Sequence, residues 1–225
     1  MNNDMSEILE RRRILIVDDH AIVRDGLTKI IDQEKDIVVC GQAETAGDAA
    51  TKAEDLKPDM VIVDISLDGV SGIELTKTLR ERYPDLRILV LSMHKESVYA
   101  ERALRAGADG YIMKQEKGEK LLAVIRLVLD GQTYVNERLQ LKLLRNLSGS
   151  GIKFESSMVD RLGAREFEVF RLLGKGYGTR QIADELQICI KTVESHRGHI
   201  REKLKMGNTL ELLQYSREWC ASEKM

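Results

Sequence analysis

Asp18 and Asp19 stand side by side at the end of the aliphatic run Ile14-Leu15-Ile16-Val17. Two carboxylates in contact repel by roughly 4 kcal/mol at an effective dielectric near 20, so a pair at the end of a buried run calls for a cation. A third acid, Asp64, closes the run from Met60 to Val63. Two later aliphatic runs end in Ser92, a hydroxyl donor, and in Lys114, a flexible ammonium. Mg²⁺ is typically held by one or two carboxylates together with water and phosphate oxygens. Three carboxylates, a hydroxyl and an amine brought to one edge therefore make a phosphoryl-transfer site. Asp64 would be the nucleophile, the metal and Lys114 would neutralise equatorial oxygens, and Ser92 would hydrogen-bond one of them.

The elements that must carry these residues are legible as a repeating pattern. Val- and Ile-rich runs at 13–19, 36–43, 59–65, 86–93 and 109–114 suit strands buried on both faces, and each intervening segment is long enough for a helix. The pattern predicts an α/β domain of (βα)5 type, a doubly wound parallel sheet whose ligands bind beyond the carboxyl ends of the strands. Its last helix is expected over Gly118–Leu129, where Leu121, Leu122, Ile125, Val128 and Leu129 share a face. The Ser-Gly-Ser-Gly stretch at 148–151 reads as a flexible linker. Beyond it no strand pattern survives: helices are expected at 164–176, 179–186, 191–204 and 209–219, a small all-α four-helix domain.

Composition agrees with two soluble domains. The 225 residues include 35 Lys/Arg, 37 Asp/Glu and 43% hydrophobic residues, with only two prolines. The longest aliphatic runs fall far short of the roughly 18 residues that span a bilayer, and residues 1–13 lack an apolar signal core. A cytoplasmic protein without a membrane partner is the expectation. Cys40, Cys189 and Cys220 are too far apart for a metal clip and read as structural thiols.

The first half resembles the receiver domain of response regulators. The acidic pair in "VDDH", the acceptor in "VIVDISLDGVSG", the "LSMH" segment and "GADGYIMK" stand in the family's order. The resemblance implies that Asp64 accepts a phosphoryl group from a phosphohistidine on a sensor histidine kinase. Mg²⁺ would be bound by Asp19, Asp64 and the Ser66 carbonyl, with Asp18 acting through water, and Ser92 and Tyr111 would be switch residues. One departure is Asp68, where the family usually has Pro four residues after the acceptor. His20 is expected in the first turn of a helix near the acidic pair, and His94 faces a partner or solvent.

In the second half, a short helix, tight connection and longer helix form the helix-turn-helix pattern, whose second helix enters the DNA major groove. Val193, Ile200 and Leu204 make a buried stripe on that helix, leaving Glu194, Ser195, Gly198 and Arg201 toward the groove. "REFEVFRLLGKGYGTRQIADELQICIKTVESHRGHIREKLKM" resembles the LuxR-type domain of the NarL/FixJ response regulators. That implies a homodimer on double-stranded DNA, the last helix around Leu210–Trp219 offering a dimer surface. The expected DNA-facing set is Thr179, Lys191, Thr192, Glu194, Ser195, His196, Arg197, Gly198, Arg201 and Lys203. Lys175–Lys205 carries seven Lys/Arg against four acids, a charge that permits DNA binding without announcing it. Gly163 and Cys189 replace the usual hydroxyl caps of the first and third helices, and Thr179 is a candidate cap for the second.

The expected organisation is thus a receiver over 12–132, a linker over 133–157 and a LuxR-type domain over 158–225. The expected function is a two-component regulator whose phosphorylation at Asp64 controls dimerisation, DNA binding and transcription, with no enzymatic output beyond its own phosphorylation and dephosphorylation. Two rivals remain open on sequence. A haloacid-dehalogenase type phosphatase would need an Asp two residues after the nucleophile, where Ser66 stands. A constitutive dimerisation module would make no use of the acidic set.

Overall fold

The computed structural model describes residues 11–67, 71–93, 96–136, 140–141 and 158–222. Asp68, His94 and the Gly/Ser stretch at 148–151 lie outside the described residues. The chain divides into two compact units: residues up to 67 and 75–135 make the first, and residues from 136 onward, with the short stretch 71–74, group as the second.

The first unit alternates strand and helix: β1 (Arg12–Val17), α1 (Ala21–Asp32), β2 (Ile37–Ala43), α2 (Ala46–Leu56), β3 (Met60–Asp64), α3 (Gly72–Arg82), β4 (Arg87–Ser92), α4 (Glu96–Arg105), β5 (Gly110–Met113) and α5 (Gly118–Leu129). The sheet is parallel with order β2-β1-β3-β4-β5. Side chains alternate across a strand, so each aliphatic run feeds two cores. Ile14, Ile16, Met60, Ile62, Leu89 and Leu91 pack under Leu27 and Ile31 of α1 and Leu121, Val124, Ile125 and Val128 of α5. Leu15, Val17, Val61, Val63 and Ile88 pack against Ala49 and Ala53 of α2 and Leu75 and Leu79 of α3. Burial on both faces explains why the strands read as unbroken aliphatic runs rather than alternating ones.

Apart from β2, the strands stop one or two residues earlier than expected at their carboxyl ends. Asp18 and Asp19 follow the last β1 residue and Lys114 the last β5 residue, while Asp64 and Ser92 are the last residues of β3 and β4. Beyond α5 the chain returns to the sheet edge. The Tyr134 carbonyl accepts from Tyr111 N at 2.9 Å, and Tyr134 N donates to the Asp109 carbonyl at 3.0 Å. This addition carries the first unit to Val135, three residues past the expected boundary.

The second unit opens with a 3₁₀ turn (Met158–Arg161), followed by α6 (Ala164–Gly174), α7 (Thr179–Glu185), α8 (Ile190–Lys203) and α9 (Thr209–Ser222). Phe167 and Phe170, three apart on α6, are buried and meet the Trp219 ring of α9 edge-on, at centroid distances of 5.4 and 5.8 Å. Helix α6 closes on Gly176, whose φ of +88° is open to glycine, and Tyr177 N donates to the Leu172 carbonyl at 3.0 Å. Helix α9 passes so close to Gly174 that a Cβ there would overlap the Ser216 carbonyl and Cys220 Sγ. Cys40 and Cys220 are half-buried, as structural thiols should be; Cys189 is exposed at the start of α8, which corrects that reading for one of the three.

Candidate functional site

Register brings the five candidate residues of the first unit to one rim. Val17 stands opposite Val63, Asp64 opposite Leu91, and Ser92 opposite Met113. The residues at or just after these positions are Asp18, Asp64, Ser92 and Lys114. The sheet order reverses between β1 and β3, so the crevice lies between the acidic pair and Asp64, as doubly wound sheets require of a ligand site. Backbone pairing continues one step further, with Lys114 N donating to the Ser92 carbonyl at 2.9 Å.

Asp18 and Asp64 are almost completely buried, and Lys114 Nζ bridges them, 2.6 Å from Asp18 Oδ2 and 3.0 Å from Asp64 Oδ2. Burial pushes the Asp64 carboxyl up to about 6; Lys114 opposes the rise, and the Asp18 and Asp19 charges reinforce it. For Lys114, burial favours the neutral amine, but the Asp64 and Asp18 carboxylates outweigh it and hold the ammonium above its ordinary pKa. One ammonium faces three acids, so the pocket is short of positive charge.

His20, expected near the acidic pair in the first turn of a helix, stands one position earlier as the N-cap of α1, its backbone N donating to Asp18 Oδ1 at 3.0 Å. Its Nδ1 lies 2.6 Å from Asp19 Oδ1 and 3.4 Å from Asp18 Oδ1. Arg24, one turn along α1, donates to the Asp18 carbonyl at 2.6 Å and fixes the end of β1. Arg24 was not legible beforehand; a helical spacing of four links it to His20, and that was the available signal.

The residues fit a divalent cation on two counts. Ligand atoms of Asp18, Asp19, His20 and Asp64 all lie within 4.8 Å of one another. Asp18 Oδ2 and Asp19 Oδ1 are buried, yet neither accepts a directed hydrogen bond. Lys114 Nζ approaches Asp18 Oδ2 as an ion pair, and His20 Nδ1 approaches Asp19 Oδ1, both off the hydrogen-bond direction. Ser92 and Tyr111 are fully buried, and Ser66, two residues past Asp64, is half-buried.

In the second unit, Val193, Ile200 and Leu204 form the buried stripe of α8 as expected. Lys191, Glu194 and Ser195 are exposed on the opposite side, and Gly198 beside them faces open space. Thr192, His196 and Arg201 are half-buried. Two expected contacts are engaged within the domain: Arg197 Nη1 donates to Thr179 Oγ1 at 2.8 Å, and Lys203 Nζ pairs with Glu166 Oε2 at 2.7 Å.

The caps differ in part from expectation. Gly178, not Thr179, is the N-cap of α7, because Gln181 Oε1 accepts from Gly178 N at 2.9 Å and Thr179 already lies in the helix. At α6 the side-chain half of the capping box is missing, while Glu166 Oε2 still accepts from Gly163 N at 2.7 Å. Cys189 caps no backbone N–H of α8; its Sγ lies 3.0 Å from Thr192 Oγ1 instead.

Comparison with known proteins covers both units. Residues 14–126 match the response regulator receiver domain, and residues 160–216 match the bacterial regulatory proteins of the luxR family. The oxygen regulatory protein NreC of Staphylococcus haemolyticus is 38% identical over 208 residues, spanning 91% of this chain and 96% of that protein. Among solved structures, RcsB of Salmonella enterica serovar Typhimurium, bound to promoter rprA in the presence of the phosphomimetic BeF₃⁻, aligns with a TM-score of 0.58 at 27% identity. That alignment covers 92% of this chain and 98% of the RcsB chain. A LuxR-family response regulator from Aurantimonas sp. aligns with a TM-score of 0.56 at 33% identity, over 61% of this chain and 99% of its own. No helix among the described residues is long and apolar enough to cross a membrane. With a receiver fold whose acids converge on one rim, a helix-turn-helix unit, and relatives matched over nearly the whole length, the chain belongs to the two-component response regulators, as a DNA-binding member with a LuxR-type output domain.

Proposed function

We propose that Asp64 accepts a phosphoryl group from a phosphohistidine on a sensor histidine kinase, in a Mg²⁺-dependent reaction, and that this event controls dimerisation and DNA binding in the cytoplasm. The observation that carries the proposal is the buried Asp64 carboxylate, 3.0 Å from Lys114 Nζ and within ligand distance of Asp18 and Asp19. Asp19, Asp64 and the Ser66 carbonyl would hold the cation, with Asp18 behind them. Bound there, Mg²⁺ would supply positive charge to the phosphoryl oxygens. Lys114 is positioned to neutralise a second oxygen, and Ser92 to donate a hydrogen bond to a third once its hydroxyl turns to the rim. The aspartyl phosphate adds close to two negative charges to a pocket already rich in acids. Movement of Ser92 and Lys114 toward it would leave room for the buried Tyr111 ring to follow, altering the β4–β5 face.

The output falls to α8. The exposed Lys191, Glu194, Ser195 and Gly198 side is the surface proposed to enter the major groove, with Thr192 and Arg201 at its margins and phosphate contacts around it. His196, Arg197, Lys203 and Thr179 act in this reading mainly by holding α8 in place. Glu194 can accept from a cytosine amino group or exclude misplaced phosphates. RcsB dimers bound to DNA support a homodimer here, and α9 is the contact surface this reading assigns to it.

Incubating the full-length protein with Mg²⁺ and acetyl phosphate, followed by intact-mass measurement, tests the reading. An adduct of roughly 80 Da, one phosphoryl group, is expected on the wild type and not on Asp64→Ala. No adduct on the wild type would return the receiver to a constitutive dimerisation role.

A further inference from the structure

The two prolines of the chain, Pro58 and Pro84, both line one cavity of about 510 Å³ at the amino ends of the strands, opposite the acidic rim. Its walls are the loops entering β3 and β4, with Arg12 from the start of β1 and Leu129 from the end of α5. Proline fixes φ, and backbone bonds tie both loops to the sheet: Asp59 N donates to the Arg13 carbonyl at 2.8 Å, and Arg87 N to the Asp59 carbonyl at 3.1 Å. The walls are therefore set before a ligand arrives. Four cations, Arg12, Lys57, Arg82 and Arg87, line the cavity against two acids, Asp59 and Asp85. Arg12 is engaged by Asp59 at 3.1 Å and Arg82 by Glu54 at 2.6 Å. Arg87 is freer: its guanidinium makes no hydrogen bond among the described residues, and its ion-pair partner Asp109, 3.5 Å away, gives its other oxygen to Arg80 and to Ile88 N. Lys57 is exposed and sits at φ +46°, a left-handed conformation that usually falls to glycine or asparagine. That strain sets an ammonium on the cavity wall at a position where the backbone alone favours glycine.

We propose that this cavity is a second ligand site, which takes a nucleoside monophosphate with its phosphate on Arg87 and Lys57 and its base against Pro58, Pro84, Leu86 and Leu129. A guanidinium fork matches two phosphate oxygens at once, and an ammonium adds a point charge beside it. The volume falls within the roughly 300–1,000 Å³ of small-molecule sites and is larger than an inorganic ion requires. Pro58, Leu86 and Leu129 are buried, so the back wall is apolar. A sugar phosphate would set unpaired hydroxyls against that wall, whereas a base covers it. Asp85 is exposed at the mouth and repels further phosphates, which selects the monophosphate over the triphosphate.

The test titrates the full-length protein with AMP by calorimetry, in EDTA so that the acidic rim holds no cation, and locates the ligand by amide shifts in two-dimensional NMR. AMP is expected to bind at least about tenfold tighter than inorganic phosphate, ribose 5-phosphate, adenosine or ATP, with shifts gathered at residues 57–59 and 82–87. Arg87→Gln and Lys57→Gly should each weaken AMP about tenfold, the loss of one charge-assisted contact. Lys57→Gly also relieves the left-handed backbone, so its urea midpoint should be no lower than that of the wild type, which separates lost binding from lost folding. Asp64→Asn should leave AMP affinity unchanged. AMP that binds no tighter than inorganic phosphate would reduce the cavity to a nonspecific anion contact and overturn the proposal. Unchanged affinity in both cavity variants, shifts confined to the second unit, or loss of binding in Asp64→Asn would each overturn it by placing the nucleotide elsewhere.

Discussion

Replacing Asp64 by Asn should stabilise the protein at neutral pH even though it removes the proposed acceptor. The carboxyl is buried beside Asp18, and its pKa rises from 3.8 to about 6, a difference worth about 3 kcal/mol. Below about pH 3.8 the group is neutral in both folded and unfolded chains. Between 3.8 and about 6 the folded chain keeps a proton that the unfolded chain has released, so stability falls as pH rises across that window. Above about 6 the whole difference has been lost. Asn is neutral throughout. The stability of Asp64→Asn minus that of the wild type should therefore grow by about 2–3 kcal/mol between pH 4 and pH 7.5, measured without divalent cations.

Subtracting the wild type cancels the titrating groups that do not touch Asp64, and the change with pH cancels the fixed difference between an amide and a neutral acid. Urea unfolding followed by far-UV circular dichroism reports both units together. Trp219, the sole tryptophan, reports the second unit by fluorescence. Mg²⁺ should then stabilise the wild type more than the variant, because ligand binding to the folded state alone adds to its stability. An increment that is flat with pH, or an Asn variant less stable at pH 7.5 than at pH 4, would refute the electrostatic account of the pocket.

Lys114→Met should have the opposite effect, leaving Asp18 and Asp64 buried without their shared ammonium. The expected loss is about 3–5 kcal/mol at pH 7.5, and less at pH 5 where Asp64 takes up a proton, measured by the same unfolding experiment. Gly174→Ala should destabilise the second unit. Overpacking against α9 costs about 1–3 kcal/mol and outweighs the gain of up to about 1 kcal/mol in helix propensity, seen as an earlier Trp219 fluorescence transition. If each bound dimer neutralises about four to six phosphates, log K for DNA should fall against log salt with a slope of about −4 to −5 in titrations by fluorescence anisotropy.

The sheet and its acidic rim were legible because a parallel sheet enforces them. Aliphatic runs alternating with helices mark strands of a parallel sheet covered on both faces, and residues at their carboxyl ends gather at one rim. Asp18, Asp64, Ser92 and Lys114 follow from that rule without knowledge of any torsion angle. The contact of His20 with Asp19 did not follow, because it depends on which ring nitrogen turns inward from a helix cap. Tyr134 was hidden for a different reason: it adds to β5 through backbone groups alone, and a single bridge carries no side-chain pattern.

In the second unit, periodicity located the buried stripe of α8 but left its flanks undecided. Lys203 projects nearly sideways from the Val193-Ile200-Leu204 stripe, so a helical wheel allows it either solvent or a neighbouring helix. Glu166 decides the matter, and Glu166 is placed by the packing of its neighbour Phe167 against Trp219. Arg197 is drawn to Thr179 in the same way. The pair with Glu166 offsets the Lys203 charge, whereas Arg197 rests on a neutral hydroxyl and keeps its own, so the proposed DNA face carries Lys191 and Glu194 with Arg197 and Arg201 at its flank. Affinity also draws on exposed cations at the edges, such as Lys175, Arg180 and Lys205, which can reach phosphates but not bases. Sequence discrimination is left to the small polar surface of Glu194, Ser195 and Gly198, so substitutions there should alter which DNA is chosen more than how the binding responds to salt.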